Sequence, residues 1–153
     1  MVYVDSDGVL SDFNGWVESI DPGAIGNEQA ILRMMAEHAN SCFIDAPPLP
    51  HTGFLLKELR DNPEWKVLTA LPKKERLEPF CGNVDKVLEK LKDNKIRWFR
   101  SLGIPESKVI IVSGAAEKTR YCEPGDVLYD DHHPNIRKWR EAGGIGEHWL
   151  PKN

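Results

Sequence analysis

The sequence predicts a layered α/β fold, a parallel sheet flanked by helices, and two observations carry this. Short apolar runs rich in β-branched residues recur along the chain, each too brief for a helix, and longer stretches with helical periodicity separate them. Val2-Tyr3-Val4 opens the series as a buried strand. The segment from about Asn14 to Pro47 has no strand-like run. It carries Ile31-Leu32 and Met34-Met35 at helical spacing and closes at Pro47-Pro48-Leu49-Pro50, so we read it as a small helical insertion rather than a crossover helix. Gly53 to Arg60 follows as a helix through Phe54, Leu55, Leu56 and Leu59, and Lys66-Val67-Leu68 as the second strand. Val84 to Leu102 repeats Val84, Val87, Leu88, Leu91, Trp98 and Phe99 on one face before Gly103-Ile104-Pro105 ends it. Val109 to Val112 and Val127 to Tyr129 are the last two strands, and Asn135 to Ala142 is a helix entered at Pro134 and stopped by Gly143-Gly144. Alternation of this kind implies right-handed crossovers.

The 153 residues suit a single domain able to bury a core without staples. Charged residues make up 29% and hydrophobic ones 41%, an ordinary globular balance that excludes disorder as the main state. No run approaches the roughly 18 apolar residues of a membrane span, and MVYVDSDG lacks a signal-peptide layout. Twenty basic against 24 acidic residues give a net charge of −4, which argues against a long nucleic acid as partner. Cys42, Cys81 and Cys122 are odd in number with no CxxC pair, so a disulfide framework or zinc site is not expected and a reducing cytoplasm is the natural setting.

The residues after each strand carry the chemistry. The first run ends in Asp5-Ser6-Asp7-Gly8, the second in Thr69-Ala70, the third in Ser113-Gly114 and the fourth in Asp130-Asp131. In a parallel sheet all strand C-termini share one edge, and ligands bind in the crevice there. Four carboxylates meeting in one cleft repel each other unless a cation sits among them, and oxygen-only ligation points to magnesium. A metal with a lysine and a hydroxyl nearby suits phosphoryl chemistry, and Lys118 beyond the third strand is the candidate lysine. Lys73 and Lys74 would add positive potential or begin a solvated helix; His132 and His133 read as a solvated loop. Signalling receiver domains use similar parts, but in the order acidic pair, lone Asp, hydroxyl, Lys. Here the order is DxD, Thr, Lys, DD, which rejects them.

That order resembles the haloacid dehalogenase superfamily over nearly the whole chain: Asp5-Ser6-Asp7-Gly8-Val9-Leu10 is similar to its first motif, Thr69 to its second, Lys118 to its third and Asp130-Asp131 to its fourth. DSDGVLSDF, PPLP, VLTALP and GDVLYDD resemble the 5'(3')-deoxyribonucleotidases more closely. The resemblance implies a Rossmann-like, HAD-like fold with residues 14–47 as a small helical cap. It implies a magnesium-dependent phosphomonoesterase for (deoxy)ribonucleoside monophosphates, with Asp5 as nucleophile and metal ligand. Asp7 would be the general acid–base and offer its backbone carbonyl to the metal. Thr69 and Lys118 would bind phosphate, and Asp131, with Asp130 beside it, would complete the metal shell. Phe13 is the candidate for stacking on the base, with Trp16 and Phe43 as weaker ones. The alternatives are a phosphatase for a sugar phosphate or a polynucleotide 3'-phosphate, and a non-catalytic phosphate- or partner-binding module. The expected partner is a small nucleotide, with no membrane; a homodimer is left open.

Overall fold

Successive side chains along a strand point to opposite faces, and this decides which helix each one meets. The computed structural model describes residues 1–62 and 64–149. Strands β1 (Val2–Val4), β2 (Trp65–Leu71), β3 (Val109–Ser113), β4 (Val127–Asp130) and β5 (Ile145–His148) form one parallel sheet in the order β3-β2-β1-β4-β5. Val4 pairs with Val67 and Tyr129, and Val67 with Val109, so these side chains share one face. That face packs on Leu55, Leu56 and Leu59 of α3 (Thr52–Arg60) and on Trp98 and Phe99 of α5 (Val84–Ser101). Tyr3, Leu68, Val112 and Leu128 point the other way, onto Ile136 and Trp139 of α6 (His133–Glu141). Both faces are covered, the arrangement that apolar parallel strands require.

The segment after β1 forms a third apolar cluster. It contains α1 (Phe13–Ile20), capped by Asp12 accepting from the Gly15 N–H at 2.9 Å, and α2 (Glu28–Glu37), capped by Asn27 accepting from the Ala30 N–H at 3.1 Å. Phe13, Trp16, Val17, Leu32, Met35 and Phe43 pack with Leu71 at the end of β2, Leu77 of α4 (Lys74–Leu77), and Val84 and Leu91 of α5. This cluster caps the C-terminal end of β2; the β1-to-β2 crossing over the sheet face is made by α3. The two stems of the segment are tied together. The Asp12 N–H donates to Pro47 O at 2.8 Å, the Leu49 N–H to Leu10 O at 2.9 Å, and the Thr52 hydroxyl to Leu10 O at 2.6 Å.

The elements differ from the sequence reading in several places. β2 runs on to Leu71, which puts Thr69 inside the strand rather than after it. α1 begins at Phe13, one residue ahead of the expected insertion. β5 was not anticipated, because Ile-Gly-Glu-His carries no apolar alternation; only Gly146 of its four residues is buried. It pairs with β4 and lies against α6. A Cβ built on Gly146 would lie 2.8 Å from Ile136 Cγ2 and 3.0 Å from the Ile136 carbonyl, so only a bare backbone lets helix and edge strand meet. No described helix is long and apolar enough to cross a membrane. Gly146→Ala should therefore cost roughly 1–3 kcal/mol by overpacking against α6, read as a lower urea midpoint at constant slope; an unchanged midpoint would mean that α6 lifts off β5 freely.

Candidate active site

The site begins where β1 stops. The Asp5 N–H still bonds Tyr129 O on β4 at 2.9 Å, which holds Asp5 beside the end of that strand. The chain then turns back on itself, with the Val9, Leu10 and Ser11 N–H groups all directed at Ser6 O. Gly8 makes this turn with φ of 84°, and a Cβ there would fall on the Asp131 carboxylate. Glycine is required at this position on both counts. β4 adds Asp130 and, one residue on, Asp131.

Lys118 organises these carboxylates. It sits on the 3-10 helix Ala115–Tyr121 that follows β3, is 3% exposed, and donates from Nζ to Asp5 Oδ1 and to Asp130 Oδ2, each at 2.9 Å. Asp130 accepts two more hydrogen bonds, from the His132 N–H at 2.9 Å and the Asn135 amide at 3.1 Å. Carboxylate oxygens of Asp5, Asp130 and Asp131 lie within 4.8 Å of one another. This all-oxygen donor set fits a hard divalent cation. Asp130 is already engaged by three donors, so Asp131 and Asp5 are the carboxylates better placed to ligate.

Sequence reasoning missed Lys95. This residue of α5 is 1% exposed, and its Nζ donates to the Thr69 hydroxyl at 2.5 Å and to Asp7 Oδ2 at 3.3 Å. The other Asp7 oxygen, Oδ1, is buried with no hydrogen-bond partner among the described residues, an acceptor that needs a donor or a cation. Lys95 Nζ also stands 4.7 Å from the centre of the Phe43 ring. Its neighbour Asn94 accepts from the Phe43 and Ile44 N–H groups at 2.7 and 3.0 Å and donates to Asn40 O at 2.7 Å. A signal existed: positions 94 and 95 fall on the same helical stripe as Leu91, Trp98 and Phe99, so an Asn-Lys pair occupies core positions.

A cleft of about 650 Å³ opens beside Asp7. Phe13, Ile31, Leu32 and Met35 of the helical insertion form an apolar wall, while the turns after β2 and β3 and the start of α6 contribute the rest. Phe13 borders this cleft and stacks on Trp16 with ring centres 5.6 Å apart. Phe43 does not border it. Its ring lies 5.6 Å from Phe13 with Lys95 over it, so Phe43, expected at the base, packs among the aromatics of the insertion. Trp16 is likewise buried. His132 borders the cleft but is exposed, as is His133, whose ring faces His148 at 5.5 Å. Lys74 pairs with Asp85 at 3.0 Å, and the three cysteines are free.

Burial drives the Asp5 carboxyl up to about 8; Lys118 opposes this, and Asp130 and Asp7 add to it. Burial also works against the charge on Lys118, but Asp5 and Asp130 outweigh it and hold the ammonium protonated. Asp130 is held below its ordinary value, because Lys118, the His132 N–H and Asn135 overcome its burial. Burial and the neighbouring Asp130 raise Asp131 to about 6. One buried lysine thus keeps one carboxylate ionised and leaves its partner short of charge compensation. A scan of the chain against protein-family models finds no match, and comparison with curated proteins finds none either.

These shifts set a pH dependence. Asp5 and Asp131 bind protons more tightly in the folded chain than in the unfolded one, so their contribution to stability falls as pH rises from about 4 to about 8. In a chelator, denaturation midpoints should decline across that window, and Asp5→Asn should flatten the decline; an equal slope in both proteins would place the proton elsewhere.

Proposed function

We propose that the protein is a magnesium-dependent phosphomonoesterase of the haloacid dehalogenase superfamily, similar to the 5'(3')-deoxyribonucleotidases, acting on (deoxy)ribonucleoside monophosphates. The observation that carries this is Lys118 bridging Asp5 and Asp130 at 2.9 Å each, with Asp131 alongside and Asp7 two residues on from Asp5. A buried lysine held between carboxylates from two strand ends can neutralise charge that builds up in an in-line displacement at phosphorus. The apolar wall headed by Phe13 supports a substrate with a nucleobase, which gains roughly 1–3 kcal/mol by stacking on an aromatic ring.

Asp5 attacks phosphorus through a carboxylate oxygen, forming an aspartyl-phosphate as the ester oxygen departs. Asp7 gives that oxygen its proton and later takes one from the water that attacks phosphorus, which frees phosphate and restores Asp5. Lys95 holds Asp7 and the Thr69 hydroxyl in one hydrogen-bonded line, so the acid–base group and a phosphate ligand are positioned together. Lys118 keeps Asp5 oriented and neutralises charge on the transferring group. Asp5, Asp131 and the Asp7 carbonyl would hold magnesium, which supplies charge neutralisation at the phosphoryl oxygens and suppresses protonation of the nucleophile.

The test is phosphate release with and without magnesium over a panel of deoxy- and ribonucleoside monophosphates. Asp5→Asn should abolish turnover, and Asp7→Asn should lose roughly 10²–10⁴-fold. Near-normal turnover by Asp5→Asn would refute the aspartyl-phosphate route. Lys95→Met, which keeps the length and packing of the side chain, should lower kcat roughly 10²-fold and raise KM far less, as the loss of a group that positions Asp7 must; a loss confined to thermal stability would leave Lys95 a structural residue.

A further inference from the structure

Two lysines at the mouth of the cleft have no role in removing a single phosphate. Lys73 lies four residues beyond Thr69, in the turn after β2, and Lys138 lies on α6; both border the same cavity as Asp7. Four other cations around the site are engaged. Arg76 pairs with Glu28, Lys74 with Asp85, Lys95 with Asp7, and Lys118 with Asp5 and Asp130. Among the described residues neither Lys73 nor Lys138 has a carboxylate at ion-pair distance, although the chain carries a net charge of −4.

Their placement relative to the reacting centre is set by the backbone. Lys138 follows Asn135 by three residues, so it stands about one turn, roughly 5 Å, further along the same face of α6. Asn135 itself donates to Asp130 at 3.1 Å. The stem of Lys73 is laid across the turn after β3. A Cβ on Gly114, where φ is 81°, would lie 2.8 Å from Lys73 Cε and 3.0 Å from Cγ, so the glycine leaves the space that the lysine stem fills. Lys138 thus lies about one helical turn along α6 from the residue that holds Asp130, and the Lys73 stem lies against the turn after β3, both on the wall of the cavity that Asp7 borders.

We propose that Lys73 and Lys138 form a second anion subsite, and that the preferred substrates carry a second phosphate on the same sugar as the phosphate removed. This rests on the phosphomonoesterase reading above. The shared chemistry is a sugar esterified at two hydroxyls, which a free nucleoside 3',5'-bisphosphate and the phosphorylated terminal nucleotide of a short oligonucleotide both present. A scissile phosphate is served by Thr69, Lys95 and Lys118; the mouth lysines reach the other one.

The experiment compares kcat/KM with magnesium for thymidine 5'-monophosphate, thymidine 5'-diphosphate, thymidine 3',5'-bisphosphate, a thymidine trinucleotide 3'-phosphate and p-nitrophenyl phosphate. The bisphosphate should exceed the diphosphate by about tenfold or more, mostly through KM. Long-range attraction alone would treat these two similarly charged anions alike. In Lys73→Gln/Lys138→Gln this preference should collapse to about threefold or less, with a much smaller change on p-nitrophenyl phosphate. Preference for the bisphosphate without the trinucleotide identifies a free nucleotide as the source, and the reverse identifies an oligonucleotide end. Equal rates on diphosphate and bisphosphate, or a preference that survives the double substitution, overturn the subsite. If no ester is cleaved, including p-nitrophenyl phosphate, the phosphatase reading fails; calorimetric titration of the bisphosphate into both proteins then decides the subsite, which is overturned by binding that does not depend on the two lysines.

Discussion

Asp5 and Asp130 terminate neighbouring parallel strands in register, and the Lys118 ammonium between them is the contact on which the site depends. Val4 stands beside Tyr129, so the next residue of each strand projects a carboxylate over the same sheet edge. Two buried carboxylates side by side repel strongly in a medium that screens poorly. The lysine relieves this with 2.9 Å contacts to both, and its own burial is tolerable only because both are there. Removing either partner leaves an uncompensated charge in the interior. The turn at Gly8 follows from the same crowding, since the space beside its Cα is already filled by Asp131.

Compensation is unequal, and that inequality bears on chemistry. Asp130 collects Lys118, a backbone N–H and an amide, while Asp5 shares the lysine without such help. Asp130 is therefore a fixed anion that orients the lysine, whereas Asp5 is left with less compensation for its charge. Under the proposed function this separates an orienting residue from a nucleophile though both are aspartates at strand ends.

The helix α5 joins the sheet edge to the helical insertion. Within two turns it presents Asn94 to the backbone of residues 40, 43 and 44, Lys95 to Thr69 and Asp7, and the Trp98 indole N–H to Ala46 O at 2.9 Å. Buried polar groups of this kind are stable only when every donor and acceptor is met, so they fix one position for the insertion where apolar contacts alone would allow several. The apolar wall of the cleft is thus held relative to Asp7 by one helix.

The sheet was legible in the sequence because parallel strands buried on both faces leave unbroken β-branched runs, and the insertion because helical spacing replaced them between Asn14 and Pro47. Asp5, Asp7, Asp130 and Asp131 were legible because strand ends share one edge in any such sheet; Thr69 was singled out with them although it lies inside β2, and Lys118 because the segment after β3 leads back to that edge. β5 was not, since Gly146 is chosen by contact with α6 rather than by its own strand. Phe43 read as a ligand because an aromatic in an insertion suits stacking and packing alike; the choice lies with Lys95, fifty-two residues away, lying over its ring. Lys95 itself was hidden for the complementary reason. A lysine in a helix is by composition a surface residue, and only the tertiary fold supplies the hydroxyl, the carboxylate and the aromatic face that make burying it favourable. Local pattern thus determined the elements and the carboxylate motifs, and long-range partners decided which polar residue entered the core and which aromatic stayed out of the cleft.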